Sequence, residues 1–261
     1  MLSYQHAYHA GSRADVHKHA ALALVLAALA RKDRPLSYVE SHAGRGLYDL
    51  AAAEAAKTGE AADGIVRVLA RGLLPASHPY RVAVEAARAR FGATAYPGSP
   101  LIARTLLRPA DRLHLIELHK HEHAALVRAL AGPGVHIHRR DGWEGVPAIV
   151  PPAPRRGLVL IDPSYELDED WDRAARLVLL LRRKWPEATV MLWYPLLGEG
   201  RHEALCRTLD GAGLPRYRRE EVRFPAARPR RGLLGSGLVL FNLPWGTAAA
   251  LDAAQALTAA R

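Results

Sequence analysis

Gly157-Leu158-Val159-Leu160-Ile161, followed at once by Asp162-Pro163-Ser164-Tyr165, is the stretch on which the fold turns. The first five positions are apolar or glycine, as expected of a strand covered on both faces within a parallel sheet. An acid, a proline and a serine then break the pattern. In an open α/β sheet, residues just past the end of such a strand lie at the carboxyl edge, where ligands bind. Taken alone, Asp-Pro-Ser is an ordinary turn. Its place directly after a buried strand reverses that reading.

Strands of similar kind are expected at 36–40, 112–117, 135–138 and 188–193, with two more at 217–224 and 237–242. Helical stretches alternate with them, which predicts a mainly parallel sheet covered by helices. Residues 51–95 read as mostly helical, broken at Gly72 and Pro75. Leu22, Leu26 and Leu29 share one face of a buried helix ended by Arg31 and Lys32. The apolar run at 20–30 is too short for a membrane span, which needs about twenty residues. Nineteen mostly polar residues before it, Asp15 among them, argue against a signal peptide.

Glu40, Glu117, Asp141 and Asp162 end successive strands, so four polar ends are expected at one crevice. Any one of them could simply cap the helix that follows. Glu40-x-x-x-Gly44-x-Gly46 gives a turn whose glycines let the backbone pass close to a ligand. A dinucleotide-binding fingerprint would need a third glycine and an acid about twenty residues later. Tyr48 occupies the turn instead, and the next strand-end acid is Glu117. Nicotinamide chemistry is thereby disfavoured.

The Asp162 turn suits a different reaction. The lone pair of an adenine amine is delocalised into its ring, so making that nitrogen a nucleophile calls for two acceptors that hold its hydrogens. A carboxylate at Asp162 and the Pro163 carbonyl supply the pair, and the ring of Tyr165 can stack an extruded base.

These residues resemble class I S-adenosylmethionine-dependent methyltransferases with an Asp-Pro-Pro-Tyr type of motif. The resemblance is closest to the RlmJ-type adenine-N6 methyltransferases of bacterial large-subunit (23S) ribosomal RNA. It is carried by the opening Met1-Leu-Ser-Tyr4-Gln-His6 through Asp15-Val-His-Lys18-His19 and by His42-Ala-Gly44-Arg-Gly46. Further on it is carried by Tyr96-Pro-Gly-Ser99, Glu117-Leu-His119, Asp141-Gly142, Leu192-Trp-Tyr-Pro195 and Gly235-Ser-Gly237. These motifs run in family order along nearly the whole chain.

The resemblance implies a doubly wound, mainly parallel seven-stranded sheet in a single domain over 1–261, with 51–95 as a helical insertion. It implies S-adenosylmethionine as cofactor, held at positions matching His19, His42, Gly44, Ser99, Glu117, Asp141 and Gly142. Glu117 would serve the ribose hydroxyls and Asp141 the adenine end. Asp162, with Pro163 and Tyr165, matches the catalytic motif, while Tyr4, His6 and Lys18 match residues serving the target nucleotide. Ser164 departs from the motif by standing at its second proline.

With 261 residues, 49% hydrophobic and 24% charged, the chain has a globular profile. Its 36 Lys and Arg against 26 Asp and Glu give a net charge of +10, which favours a polyanionic partner. Arg outnumbers Lys by 31 to 5, so compositional bias accounts for part of this character. Cys206 is the single cysteine, so neither an intramolecular disulfide nor a cysteine-based zinc site can form, and a reducing cytoplasm is expected. His119, His121 and His123 lie on a strand end entering a helix and are expected to be solvated rather than metal-bound. Seven arginines between 216 and 231 read equally as a solvated sheet edge or as an RNA contact. Trp193 and Tyr194 are expected to be packing residues.

The expected activity is methylation of an adenine N6 amine in 23S ribosomal RNA, naked or in an assembly intermediate, by a metal-free monomer away from membranes. Rival readings are a DNA adenine or protein amide methyltransferase, and an RNA-binding module weakened in catalysis by Ser164.

Overall fold

The computed structural model describes residues 6–225 and 232–259. The chain first forms α1 (Arg13–Ala30), β1 (Ser37–Glu40) and β2 (Leu47–Asp49), then α2 (Ala53–Thr58), α3 (Arg67–Ala70) and α4 (Pro79–Phe91). It continues through β3 (Ala95–Pro97), α5 (Ser99–Leu106), β4 (Arg112–Ile116), α6 (Lys120–Leu130), β5 (Val135–His138) and α7 (Gly142–Ile149). The last part holds β6 (Gly157–Ile161), α8 (Glu169–Lys184), β7 (Thr189–Leu197), α9 (His202–Asp210), β8 (Arg218–Arg223), β9 (Leu233–Phe241) and α10 (Ala248–Ala259).

Seven strands form one sheet in the order β5-β4-β1-β6-β7-β9-β8. The first five are parallel, while β9 runs antiparallel to both β7 and β8. This is the doubly wound, mainly parallel seven-stranded sheet that the resemblance implies. All five residues of β6 are buried, which is why its sequence is uniformly apolar, whereas the edge strand β8 alternates. Gly157 admits close contact at the start of β6, since a Cβ there would stand 2.0 Å from the Ser37 carbonyl oxygen.

Helices cover both faces. Trp171, Val178 and Leu181 of α8 and Leu205 of α9 pack with Val159, Ile161, Val190 and Leu192 on one side. Leu22 and Leu26 of α1, Leu101 of α5 and Leu126 of α6 pack with Leu113, Leu115, Leu158 and Leu160 on the other. The apolar run at 20–30 is thus a buried helix, begun by Ser12, whose hydroxyl accepts from the Asp15 amide at 3.3 Å. Among the described residues no helix is long and apolar enough to cross a membrane.

Strand β9 begins at Leu233, four residues before the expected start, and two further differences from the sequence reading have local causes. The helical stretch ends at Phe91, and Ala95 belongs to β3, which pairs antiparallel with β2 around the Gly turn. Three-residue strands are too short to show a period. Strand β7 continues to Leu197 through Pro195. Its last pair with β6 is Ile161–Leu192, so from there β7 has only β9 beside it, a setting that tolerates proline.

Candidate active site

The turn after β6 meets the amino-terminal half of α1. Three functional side chains follow from helical spacing alone: Asp15, Lys18 and His19 lie at i, i+3 and i+4 and therefore share one face. Lys18 Nζ lies 2.6 Å from Asp162 Oδ2 and 3.3 Å from Asp15 Oδ1, and sits 5.5 Å above the Trp193 ring. The turn after β6 and the buried face of α1 are thereby joined by one ammonium group. Asp162 keeps only 12% of its side chain exposed.

Asp15 is a hub. Its carboxylate takes the Gly11 amide at 2.9 Å and His6 Nε2 at 3.0 Å, in addition to Lys18. Burial pushes its carboxyl up, yet the positive charges facing it and the His6 hydrogen bond hold it well below the usual carboxylate range. His6 is thus anchored to α1, with its ring edge-on to Tyr48 at 5.3 Å. Tyr4, expected beside it, lies outside the described residues.

His19 is fully buried. Its Nδ1 is 2.8 Å from the Tyr96 hydroxyl, whereas Nε2, 3.8 Å from Asp15 Oδ1, is buried without a hydrogen-bond partner among the described residues. Burial drives its pKa down to about 3, so the ring is neutral near pH 7. Burial likewise pushes His42 down to about 4, where Nδ1 meets Ser41 Oγ at 2.8 Å and the ring abuts Trp143. An unpaired buried polar atom is costly unless something completes it. The His19 nitrogen is therefore an observation that fits a bound polar ligand, and a neutral imidazole suits a cationic sulfonium nearby.

Gly44 takes φ of 60°, a left-handed conformation that glycine adopts without strain, and its amide donates to Glu117 Oε2 at 2.8 Å. Glu117 Oε1 accepts from the His119 amide at 2.7 Å. Each oxygen retains a lone pair, enough to accept from a diol. Asp141 caps α7 by accepting from the Trp143 amide at 2.7 Å, so the capping role applies to it. A Cβ on Gly142 would stand 2.1 Å from the Ser41 carbonyl oxygen, so α7 can start against the β1 turn only with glycine there.

Two expectations need correction. Glu40 does not line the crevice. It is fully buried, accepting from Tyr38 OH at 2.8 Å and Ser99 Oγ at 2.5 Å, and burial pushes its pKa up to about 8. The Ser99 hydroxyl is committed to that carboxylate rather than to open space. Tyr165 does not present a stacking face: it is 7% exposed, with φ of 55°. Its hydroxyl donates to the Trp193 carbonyl at 2.8 Å, and its ring packs 4.2 Å from that of Trp171. The left-handed backbone after Ser164 turns the ring inward. Among the described residues the Ser164 side chain makes no bond of the kind serine often makes in turns.

Sequence reasoning missed Asp15 as a site residue, although its spacing from Lys18 and His19 was available as a signal. It also missed that Trp193 faces Lys18, with indole Nε1 bonded to Ser236 Oγ, which in turn meets His17 Nδ1 at 2.9 Å. No local pattern announces a contact between residues 219 positions apart. Tyr194 is fully buried, as expected of a packing residue. Of the arginines at 216–231, Arg216 bonds the Leu243 carbonyl, Arg218 pairs with Glu220 and Asp252, and Arg219 pairs with Asp210. Arg223 ends β8 exposed, and those at 228, 230 and 231 lie outside the described residues. Among the described residues no three His, Cys, Asp or Glu side chains gather as a metal site.

The family model described as Ribosomal RNA large subunit methyltransferase D, RlmJ, matches residues 33–259. The chain belongs to the RlmJ family. It is 36% identical over 247 residues to Ribosomal RNA large subunit methyltransferase J of Escherichia coli (strain K12), spanning 94% of this chain and 88% of that protein. The protein of the same name from Haemophilus influenzae is 35% identical over 249 residues, again 94% and 88%. A crystal structure of a Legionella pneumophila protein superposes with a TM-score of 0.85 at 33% identity, covering 95% of this chain and 92% of that one. RlmJ membership therefore extends over the sheet and both helical layers.

Proposed function

We propose that this chain transfers a methyl group from S-adenosylmethionine to the N6 amine of an adenine in 23S ribosomal RNA. The observation that carries the reading is the Asp162-Pro163-Ser164-Tyr165 turn at the end of buried β6, its carboxylate held 2.6 Å from Lys18 beside the Gly44 turn. His19, His42, Gly44, Glu117, Asp141 and Gly142 would hold the cofactor, with Ser99 acting through its backbone because its hydroxyl serves Glu40. When bound, S-adenosylmethionine supplies an electrophilic methyl carbon on a sulfonium. The protein's part is alignment.

Asp162 Oδ and the Pro163 carbonyl accept the two amine hydrogens, which frees the nitrogen lone pair for attack along the line to sulfur. One of those protons leaves as or after the new bond to carbon forms, with Asp162 Oδ as its first acceptor. Lys18 Nζ, shared between Asp162 and Asp15, fixes the carboxylate before the base arrives. His6 and Tyr4 serve the target nucleotide. We take the chain to be one domain with 51–95 inserted in it, acting as a cytoplasmic, metal-free monomer on naked RNA or an assembly intermediate. The test is methyl transfer from labelled cofactor to deproteinised large-subunit RNA from cells lacking this protein, followed by mapping of N6-methyladenine. Transfer to DNA or protein instead of RNA would overturn the reading.

A further inference from the structure

The cationic excess of the chain is placed unevenly. Residues 31–36, 107–111, 150–156 and 182–188 lead into β1, β4, β6 and β7 and so all reach the amino edge of the parallel strands, opposite Asp162. Because β9 is antiparallel to β7, with Phe241 opposite Val190, residues 242–247 emerge at that edge too. The loop before β8 joins them, since Arg218 pairs with Leu240.

Side chains knit these segments into one surface. Arg108 reaches the Lys32 carbonyl and the Asp33 carboxylate, both at 3.1 Å, and Arg156 donates to the Arg34 carbonyl at 2.8 Å. Arg155 pairs with Glu187 at 2.7 Å. Asn242 donates to the Pro186 carbonyl at 2.6 Å and accepts from Arg216 at 3.1 Å. The belt ends at Trp245, which is 86% exposed.

Within it, Arg31, Lys32 and Arg34 are exposed, and among the described residues their side chains make no hydrogen bond or ion pair. The acids of these strand-leading segments are Asp33, Asp111 and Glu187, and Asp111 is fully buried, bonded to the Leu36 amide. The crevice, by contrast, gathers Asp15, Glu117, Asp141 and Asp162 around Lys18, so acids outnumber the cation set among them.

We propose that this amino edge is a second RNA-contacting surface, which grips the phosphate backbone of the substrate RNA on the side of the sheet opposite the methyl-transfer site. The inference rests on the ribosomal RNA reading above. Cations without internal partners give up no ion pair when they meet phosphate, and each phosphate neutralised releases counterions. Trp245 offers a π-face to an unpaired base. Five residues of β6 put about 16 Å of sheet between the two edges. A short stem-loop carrying the target adenine therefore fills the crevice alone, whereas a long RNA reaches both.

The experiment uses the full chain carrying Arg31→Gln, Lys32→Gln and Arg34→Gln together, none of which touches the catalytic or cofactor residues. Binding to full-length large-subunit RNA is measured without turnover across a salt series, and methylation kinetics are measured on that RNA and on a short stem-loop. For full-length RNA the slope of log affinity against log salt should fall by about 2 to 3, with KM raised several-fold and kcat unchanged. Kinetics on the stem-loop and cofactor affinity should not change. Unaltered binding of full-length RNA overturns the proposal, as does an equal loss on the stem-loop. A loss confined to vesicles containing phosphatidylserine overturns it in favour of a membrane contact. A wild-type chain that binds RNA with the steep slope yet methylates none of it would overturn the activity reading and leave the surface standing.

Discussion

Lys18 and Asp162 form the pair through which single residues govern this site, because α1 and the β6 turn touch there through charged groups. Asp162→Asn keeps the shape and removes the charged acceptor. Turnover should fall by roughly 10² to 10⁴, as for loss of a proton-accepting group, while cofactor affinity changes little. Single-turnover transfer and calorimetry separate the two, and near-normal turnover would refute the role of Asp162. Glu40 gives a residue-scale prediction of another kind. Its carboxyl titrates near 8 in the fold because of burial, against an ordinary value of 4.5. A raised pKa means that the folded chain holds a proton the unfolded chain has lost, so stability falls as pH rises from about 4.5 to about 8. Glu40→Gln removes that loss. Its melting temperature relative to wild type should climb over this window and level off above it, the difference being on the order of a few kcal/mol. A pH-independent difference would show that the Glu40 carboxyl is not displaced.

At the scale of elements, α1 does two jobs: one stretch carries Asp15, Lys18 and His19 to the site, and the following turns bury Leu22 and Leu26 against the sheet. Leu22→Ala should cost about 2–5 kcal/mol of stability by leaving a cavity, measurable by denaturant unfolding. It should leave kcat nearly unchanged in the molecules that remain folded. The 163–165 turn is the other element to probe. Pro at position 164 would exclude the helical region for Pro163 and hold its carbonyl in extended geometry. Because the Ser164 side chain makes no bond among the described residues, Ser164→Pro should keep or raise turnover and leave cofactor affinity as it is. A large loss in single-turnover rate on the same RNA would show that the serine hydroxyl works during the reaction.

For the whole molecule, ligand linkage tests the assembled site. Cofactor at about 100 times its dissociation constant should stabilise the fold by about 2.7 kcal/mol, because only the folded chain brings β1, β4, β5 and β6 together. The shift in melting temperature should be the same with and without a chelator, and its disappearance on chelation would show that a metal takes part. Charge is also a property of the whole: the +10 excess is legible in composition, but its collection along the amino edge depends on where each strand begins.

Much of the fold was readable locally. An apolar run such as 157–161 suits a strand buried on both faces, the usual state of a parallel sheet, and alternating helical periods supply its covers, so the strands and the sheet class follow from residue order. The Asp162 turn and the glycines at 44 and 46 were readable for the same reason, since turn chemistry is local. Ranges smaller than a period were not, which is why the β2–β3 pair and the true end of β7 emerged only from pairing partners distant in sequence. The direction of each site side chain also belonged to the tertiary structure. Glu40 turned inward to Tyr38 and Ser99, Tyr165 turned under Trp193, and Asp15 became the centre of a charge network. A carboxylate or ring is equally compatible with crevice and core until packing and hydrogen-bond partners, contributed by remote segments, decide which placement leaves the fewest polar groups unpaired.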